Sequence, residues 1–362
     1  MKYIDEFRNK KLVENIAAKI KKIALSSKIN IMEVCGTHTQ SFRRFGLDKM
    51  LPFSLKLISG PGCPVCVCHQ EYIDQAIALA KLKDIIILTF GDMLRVPGTR
   101  TTLEKEKAEA SDVRVVYSAW DSLEIAQKNP QKKVIFLAVG FETTAPTIAL
   151  TLKVAKKKKI ANLFFFSCLK LIPPAMQALL RDPRIKIDGF LCPGHVSTII
   201  GIKPYAFIPK RYKIGCCVTG FEPLDILEGI YLLLQQIINK KPGVANQYVR
   251  VVTKEGNLEA KRVMSSVFQA YDADWRGLGL IPKSGLKIKK EFARFDAEKV
   301  FPINLVTQHP LPATRCRCAD ILKGIISPLE CPLFSKTCSP DNPLGPCMVS
   351  REGACNAYYR YK

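Results

Sequence analysis

The chain has 362 residues, more than one hydrophobic core ordinarily supports, so two or three domains are expected. Its 48% hydrophobic and 24% charged residues are ordinary for a globular protein and exclude both a disordered and a fibrous chain. Lysine and arginine outnumber aspartate and glutamate by 55 − 32 = 23. These cations are spread along surface-helix positions such as "VAKKKKIA" without interleaved aromatics or zinc-finger spacing, which argues for a solvated or protein-docking basic face rather than a nucleic-acid site.

The opening stretch "MKYIDEFRNKKLVENIAAKIKKI" is amphipathic and charged, so no signal peptide is expected, and no later apolar run is long enough to span a bilayer. A cytoplasmic location follows as the expectation. Fourteen cysteines in a reducing compartment then point to metal or redox chemistry rather than structural disulfides.

Eight apolar runs follow in order, each closing on a turn-forming or cysteine-bearing segment. They are "INIMEVCGTHT" (29–39), "LKLISGPGCPVC" (55–66), "DIIILTFGD" (84–92), "VRVVYSA" (113–119), "KVIFLAVGFETTAPT" (133–147), "LFFFSCLKLIPP" (163–174), "IDGFLCPGHVS" (187–197) and "KIGCCVTGFEP" (213–223). Continuous β-rich runs alternating with helical patterns predict buried parallel strands, hence an α/β doubly wound architecture. The runs divide four and four near "AQKNPQKK", which predicts α/β domains over 1–130 and 131–242 and a C-terminal region over 243–362. In that last region "NQYVRVVTKEGN" reads as strand and turn, "EAKRVMSSVFQ" as a helix and "YDADWRGLGLIPKSGL" as a Gly-rich loop.

The unusual motifs all fall at strand ends, where open parallel sheets bind ligands, so a composite site between the two α/β domains is expected. In "EVCGTHT", Cys35 and His38 are three apart; Thr37 and Thr39 are expected to cap the following helix, and a helix N-terminus would lower the Cys35 pKa. His195 in "CPGHVS" occupies an equivalent turn. Glu142 in "GFETTAP" and Glu222 in "GFEP" read as one device used twice: an orienter of a ligand or a helix N-terminal charge.

The pair Cys63 and Cys66 in "SGPGCPVCVCHQ" admits a metal knuckle, a redox dithiol or inert thiols. Pro64 between the cysteines and the helix expected from "QEYIDQAIALAKL" favour the dithiol. Cys68, His69, Cys168, Cys192, Cys216 and Cys217 read as packing, and His309 carries no signal. The tail holds Cys316, Cys318, Cys331, Cys338, Cys347 and Cys355 and too few apolar residues for a core of its own. Zinc knuckles are absent from it, so an iron–sulfur cluster on four thiolates leads over zinc and over disulfides.

Taken together, "MEVCGTHT", "GPGCPVCV", "LRVPG", "VGFETTAPT", "CPGHVSTIIG", "GFEPLDIL", "WRGLGLIPKSGL" and "CMVSREGAC" resemble the HypD family of hydrogenase maturation factors, from residue 32 to 355. The resemblance implies two Rossmann-like domains plus a C-terminal [4Fe–4S] region. It implies a scaffold with redox activity, rather than a multi-turnover enzyme, on which the Fe(CN)₂CO group of [NiFe]-hydrogenases is assembled. Mononuclear Fe(II) carrying CN and CO would be transient cargo at Cys35, near His38, shared with a small HypC-like chaperone in a transient complex. Cyanide would come from a HypE-like donor. Cys63 and Cys66 would be redox-active, with His195 and Glu142 beside them in the reaction.

The tail is also similar in style to ferredoxin:thioredoxin reductase, which implies Cys316, Cys331, Cys338 and Cys355 as cluster ligands and Cys318 with Cys347 as an extra dithiol. Cys68 and His69 stand where the family more often has Thr and Pro, and Ala319 where it has glycine. A freestanding iron–sulfur thiol/disulfide oxidoreductase is the alternative, and a zinc-stabilised nucleic-acid binder a distant third. By itself the chain is expected to be a monomer with no membrane partner.

Overall fold

Every one of the eight apolar runs forms a strand in the computed structural model, which describes residues 2, 4–23, 27–303 and 316–361. These strands are β1 (Ile29–Glu33), β2 (Leu55–Ser59), β3 (Ile85–Thr89), β4 (Val113–Val115), β5 (Lys133–Gly140), β6 (Leu163–Lys170), β7 (Gly189–Pro193) and β8 (Gly215–Thr219). Three more follow: β9 (Val244–Asn246), β10 (Phe268–Trp275) and β11 (Gly279–Ile288). His309 lies outside the described residues.

Two sheets result. The first is five-stranded and parallel throughout, in the order β2-β1-β7-β8-β9. The second has six strands in the order β10-β11-β6-β5-β3-β4; β6, β5, β3 and β4 are parallel, while β10 and β11 form an antiparallel edge. This is the mixed α/β architecture expected from continuous apolar runs, which need helices over both faces to keep their backbones dry.

The expected boundaries at 130 and 242 do not match sheet membership. β1 and β2 pair with β7 and β8, while β3 and β4 pair with β5 and β6. The chain leaves the first sheet after β2, builds the second, and returns to the first at β7. Strand rhythm is blind to such a crossover, because it records burial and not pairing.

Two C-terminal expectations also give way. "YDADWRGLGLIPKSGL" is not a loop: it is most of the β10–β11 hairpin, with Gly277 and Gly279 at positive φ where the chain reverses. Its anchor is Trp275, fully buried, whose indole N–H donates to Ser284 Oγ at 2.8 Å. "NQYVRVVT" is turn rather than strand; the short β9 precedes it. The helix expected from "EAKRVMSSVFQ" forms over Leu258–Val267.

The helix Pro223–Ile238 shows how the first sheet is closed. Leu224, Ile226, Leu227, Ile230, Leu233 and Leu234 are buried on β7, β8 and the helix Lys10–Lys22. Each contributes about 1.5–3 kcal/mol relative to an exposed position. Glu222 and Asp225 make a reciprocal capping box at its start, and the Arg250 guanidinium donates twice to buried Asp225, at 2.7 and 2.6 Å. Glu222 also accepts from Arg8. Its role is therefore a helix cap and ion pair, distinct from that of Glu142.

The cysteine tail folds as short turns laid against both sheets. Ala354–Arg360 packs on the helix Gly36–Arg44, with the Arg43 guanidinium 3.5 Å from the Tyr358 ring centre. Pro346–Val349 packs on the turn Pro64–Val67.

Candidate functional site

Because the first sheet is parallel, its strands deliver their carboxyl ends to one edge. That edge receives Cys63 after β2, Cys35 after β1, His195 after β7 and Phe221 after β8, on four adjacent strands. Four of the five strand-end motifs thus meet. The fifth, with Glu142, follows β5 and belongs to the other sheet.

Cys35 follows β1 by two residues and is the N-cap position of the helix Gly36–Arg44. The expected lowered pKa is overturned: burial pushes the thiol up to about 12, with the nearby Glu352 carboxylate adding to the shift. The His38 and Thr37 amides and the Thr37 hydroxyl pull the other way but do not offset it. Thr37 and Thr39 do not cap the helix. Thr37 Oγ1 donates to Glu352 Oε1 at 2.7 Å, and Thr39 Oγ1 to Ser59 Oγ at 3.2 Å. Glu352, in the "SREGAC" part of the tail, is a site residue that reading by motif missed; only its three-dimensional contact with Thr37 reveals it.

The β2 turn is brought hard against Cys35. A side chain on Gly62 would overlap the Cys35 backbone nitrogen, and the Gly36 amide donates to the Gly62 carbonyl at 3.0 Å. Cys63 is the next residue and caps the turn Pro64–Val67, its Sγ accepting from the Cys66 amide at 3.3 Å. Both thiols are buried, at 3% and 0% exposure. The helix expected after them forms over Gln70–Ala80.

His38 is fully buried, and its Nε2 meets the Gly220 carbonyl at 3.0 Å and Thr219 Oγ1 at 3.0 Å. Burial depresses its pKa to about 4, so the ring is neutral near pH 7. With Nε2–H donating to the carbonyl, Nδ1 is left with a free lone pair, buried and, among the described residues, without a hydrogen-bond partner. Phe221 lies between this ring and His195, with centroids at 4.8 Å and 4.0 Å. His195 is exposed at this edge, and partial desolvation lowers its pKa.

Glu142 is buried and accepts the Ile172 amide at 3.0 Å through Oε1, leaving Oε2 without a partner among the described residues. Burial raises it to about 7. Its hydrogen bond ties β5 to the helix Ile172–Leu179, so it orients the second sheet rather than touching Cys35.

The tail thiols divide into two groups. Cys316, Cys331, Cys338 and Cys355 line one cavity together with Cys347, Ile321, Leu333, Phe334 and Met348. Among the described residues no three Cys, His, Asp or Glu side chains converge as on a single ion; the thiols surround a space instead. The lining holds soft donors and no carboxylate, which suits iron–sulfur chemistry and not a hard cation. A side chain on Gly345 would come 2.5 Å from Cys316 Sγ, so only glycine leaves that thiol in place.

Cys318 stands apart from this lining, with its Sγ 2.7 Å from that of Cys347. Cys66 lies beside Cys347, its Sγ 3.7 Å from the carbonyl of the preceding Pro346, and each of these two thiols shifts the pKa of the other. The thiols therefore form an unbroken line: cavity, Cys318 with Cys347, Cys66 with Cys63, and then the Gly62 contact with Cys35.

Comparison with known proteins agrees over the whole chain. The family model described as "HypD: Hydrogenase formation hypA family" matches residues 9–362. The chain is similar to "Hydrogenase maturation factor HypD2" of Bradyrhizobium diazoefficiens, 45% identical over 370 residues covering 100% of this chain and 97% of the relative. The "Hydrogenase maturation factor HypD" proteins of Cupriavidus necator and Escherichia coli are each 43% identical, over 100% of this chain and 97% and 98% of their own lengths.

Proposed function

The chain belongs to the HypD family of hydrogenase maturation factors, and from that premise we propose that it is the scaffold on which the Fe(CN)₂CO unit of [NiFe]-hydrogenases is built. The observation that carries this reading is the line of thiols from the tail cavity to Cys35.

The iron cargo binds at Cys35, with the second thiolate supplied by a HypC-like chaperone. Cys35 holds its proton at neutral pH, so loading iron displaces that proton. His38 can approach the cargo only through Nδ1, since Nε2 is engaged by the β8 backbone. His195, exposed at the same edge with its pKa lowered by partial desolvation, is placed to receive or donate a proton as cyanide arrives from a HypE-like donor.

Cys316, Cys331, Cys338 and Cys355 would hold a [4Fe–4S] cluster. When bound, such a cluster would supply single electrons to a neighbouring disulfide. The protein's own thiols carry the rest by exchange. Cys347 thiolate attacks a Cys63–Cys66 disulfide at the Cys66 sulfur, breaking that S–S bond and freeing Cys63 as a thiol. Cys318 thiolate then attacks Cys347, forming the Cys318–Cys347 disulfide and releasing Cys66. Two electrons pass from one pair to the other, and each thiol that attacks gives a proton to the thiolate it frees.

Near-complete burial of Cys63 and Cys66 counts against a freestanding reductase of protein disulfides, which must present a thiol to bulky substrates. The reading is tested with Cys35→Ala, purified without oxygen in complex with the small chaperone. Loss of the infrared cyanide and carbonyl bands with tail iron and sulfide retained is expected; bands at wild-type intensity would refute the assignment.

A further inference from the structure

A second close thiol pair lies on the other side of the Cys66 turn. Cys68, the residue that closes the turn Pro64–Val67, places its Sγ 3.4 Å from Cys168 Sγ towards the carboxyl end of β6. Both are completely buried. Neither belongs to the line of thiols described above.

The surroundings are those of an activated thiol. Two residues along β6, on the same face as Cys168, Lys170 is also completely buried. Its Nζ donates to the Asp274 carbonyl at 2.7 Å, and among the described residues no carboxylate pairs with it. A buried ammonium without an anion is costly, and a Cys168 thiolate supplies the missing charge. His69 also favours the Cys168 thiolate, while among the described residues its Nδ1 is buried without a partner. Cys68 donates its S–H to Cys168, so the two share one proton: the contact with Cys68, Lys170 and His69 holds Cys168 down, and Cys68 is correspondingly pushed up. Arg276 grips the same turn, donating from its amide to Val67 and from Nε to the Cys68 carbonyl at 2.7 Å.

We propose that Cys68 and Cys168 are a dithiol site that reacts with small hydroperoxides and closes to a disulfide, fastening the turn that carries Cys66 to β6. Complete burial selects the oxidant: no protein or peptide disulfide reaches these sulfurs, whereas hydrogen peroxide is close to water in size. Cys168 thiolate attacks one peroxide oxygen; the S–O bond forms as the O–O bond breaks, and the departing hydroxide takes a proton to become water. The Cys68 sulfur then attacks the sulfenic sulfur of Cys168, forming S–S, breaking S–O and releasing a second water with the Cys68 proton. The two sulfurs lose two electrons and the peroxide oxygens gain them. A dithiol reductant reverses the bond.

The test uses the full chain, purified without oxygen, given one equivalent of hydrogen peroxide, blocked at once with an alkylating agent and digested for mass spectrometry. A peptide pair linked through Cys68 and Cys168, lighter by two hydrogen atoms and lost on reduction, is expected. In Cys68→Ser, dimedone added together with denaturant after the peroxide should trap a sulfenic acid on Cys168; in Cys168→Ser, no label should appear on Cys68. Peroxide that oxidises other cysteines while leaving this pair as free thiols would overturn the proposal, as would a sulfenic acid on Cys68. The wild-type linkage decides the matter even if either variant fails to fold.

Discussion

At Cys35 the helix N-terminus and burial pull the thiol in opposite directions. Placement at a helix start ordinarily stabilises a thiolate, but here desolvation dominates and Glu352 reinforces it. Motif reading could find Cys35, His38, Cys63, Cys66 and His195, because each stands at the close of an apolar run. It could not find Glu352, which reaches the site through a tail contact over 300 residues away in sequence, or the sign of the Cys35 shift, which burial sets first. The Glu352 carboxylate is predicted to act on Cys35 through charge. In Glu352→Gln, which keeps an acceptor for Thr37, the pH profile of Cys35 alkylation should move to lower pH. An unmoved profile would mean that the carboxylate does not act on that thiol.

Among the elements, each of the eight apolar runs became a strand, because a strand buried on both faces writes itself as an unbroken β-branched and aromatic segment. Pairing left no such trace. The return from β6 to β7 restores the first sheet between residues 170 and 189, whereas "AQKNPQKK" near 130 lies between two strands of the second sheet. The β10–β11 hairpin was hidden for the opposite reason: glycines suited to its reversal also suit a loop, and Trp275 gives no period by itself. The tight seam between β1 and β2 is what sets Cys35 beside Cys63. Gly62→Ala should therefore cost cargo iron before it costs the fold. Iron bound with the chaperone is expected to drop severalfold while circular dichroism stays native; unchanged iron would show that the seam is not needed.

For the molecule as a whole, two acids buried in the sheets set a pH dependence. Glu33, held by Ser59, and Glu142, held by the Ile172 amide, are each raised to about 7 by burial. Their folded pKa lies above the unfolded value near 4.5, so the folded state binds more protons between those limits. Stability should fall as pH rises from about 4.5 to 7, and Glu33→Gln with Glu142→Gln should flatten that slope in urea titrations. A slope that survives both changes would place its origin elsewhere.

The architecture also explains why the tail needs no core of its own. Its turns rest on the helix after Cys35 and on the Cys66 turn, so the cavity thiols and the Cys35 edge are parts of one arrangement, joined at Cys347. No helix among the described residues is long and apolar enough to cross a membrane. The most direct test of this account is Cys347→Ser, purified without oxygen with its small chaperone and read by Mössbauer and infrared spectroscopy together. The account predicts an intact tail cluster and iron at Cys35 but no cyanide or carbonyl bands. Bands at wild-type intensity in that variant would contradict it.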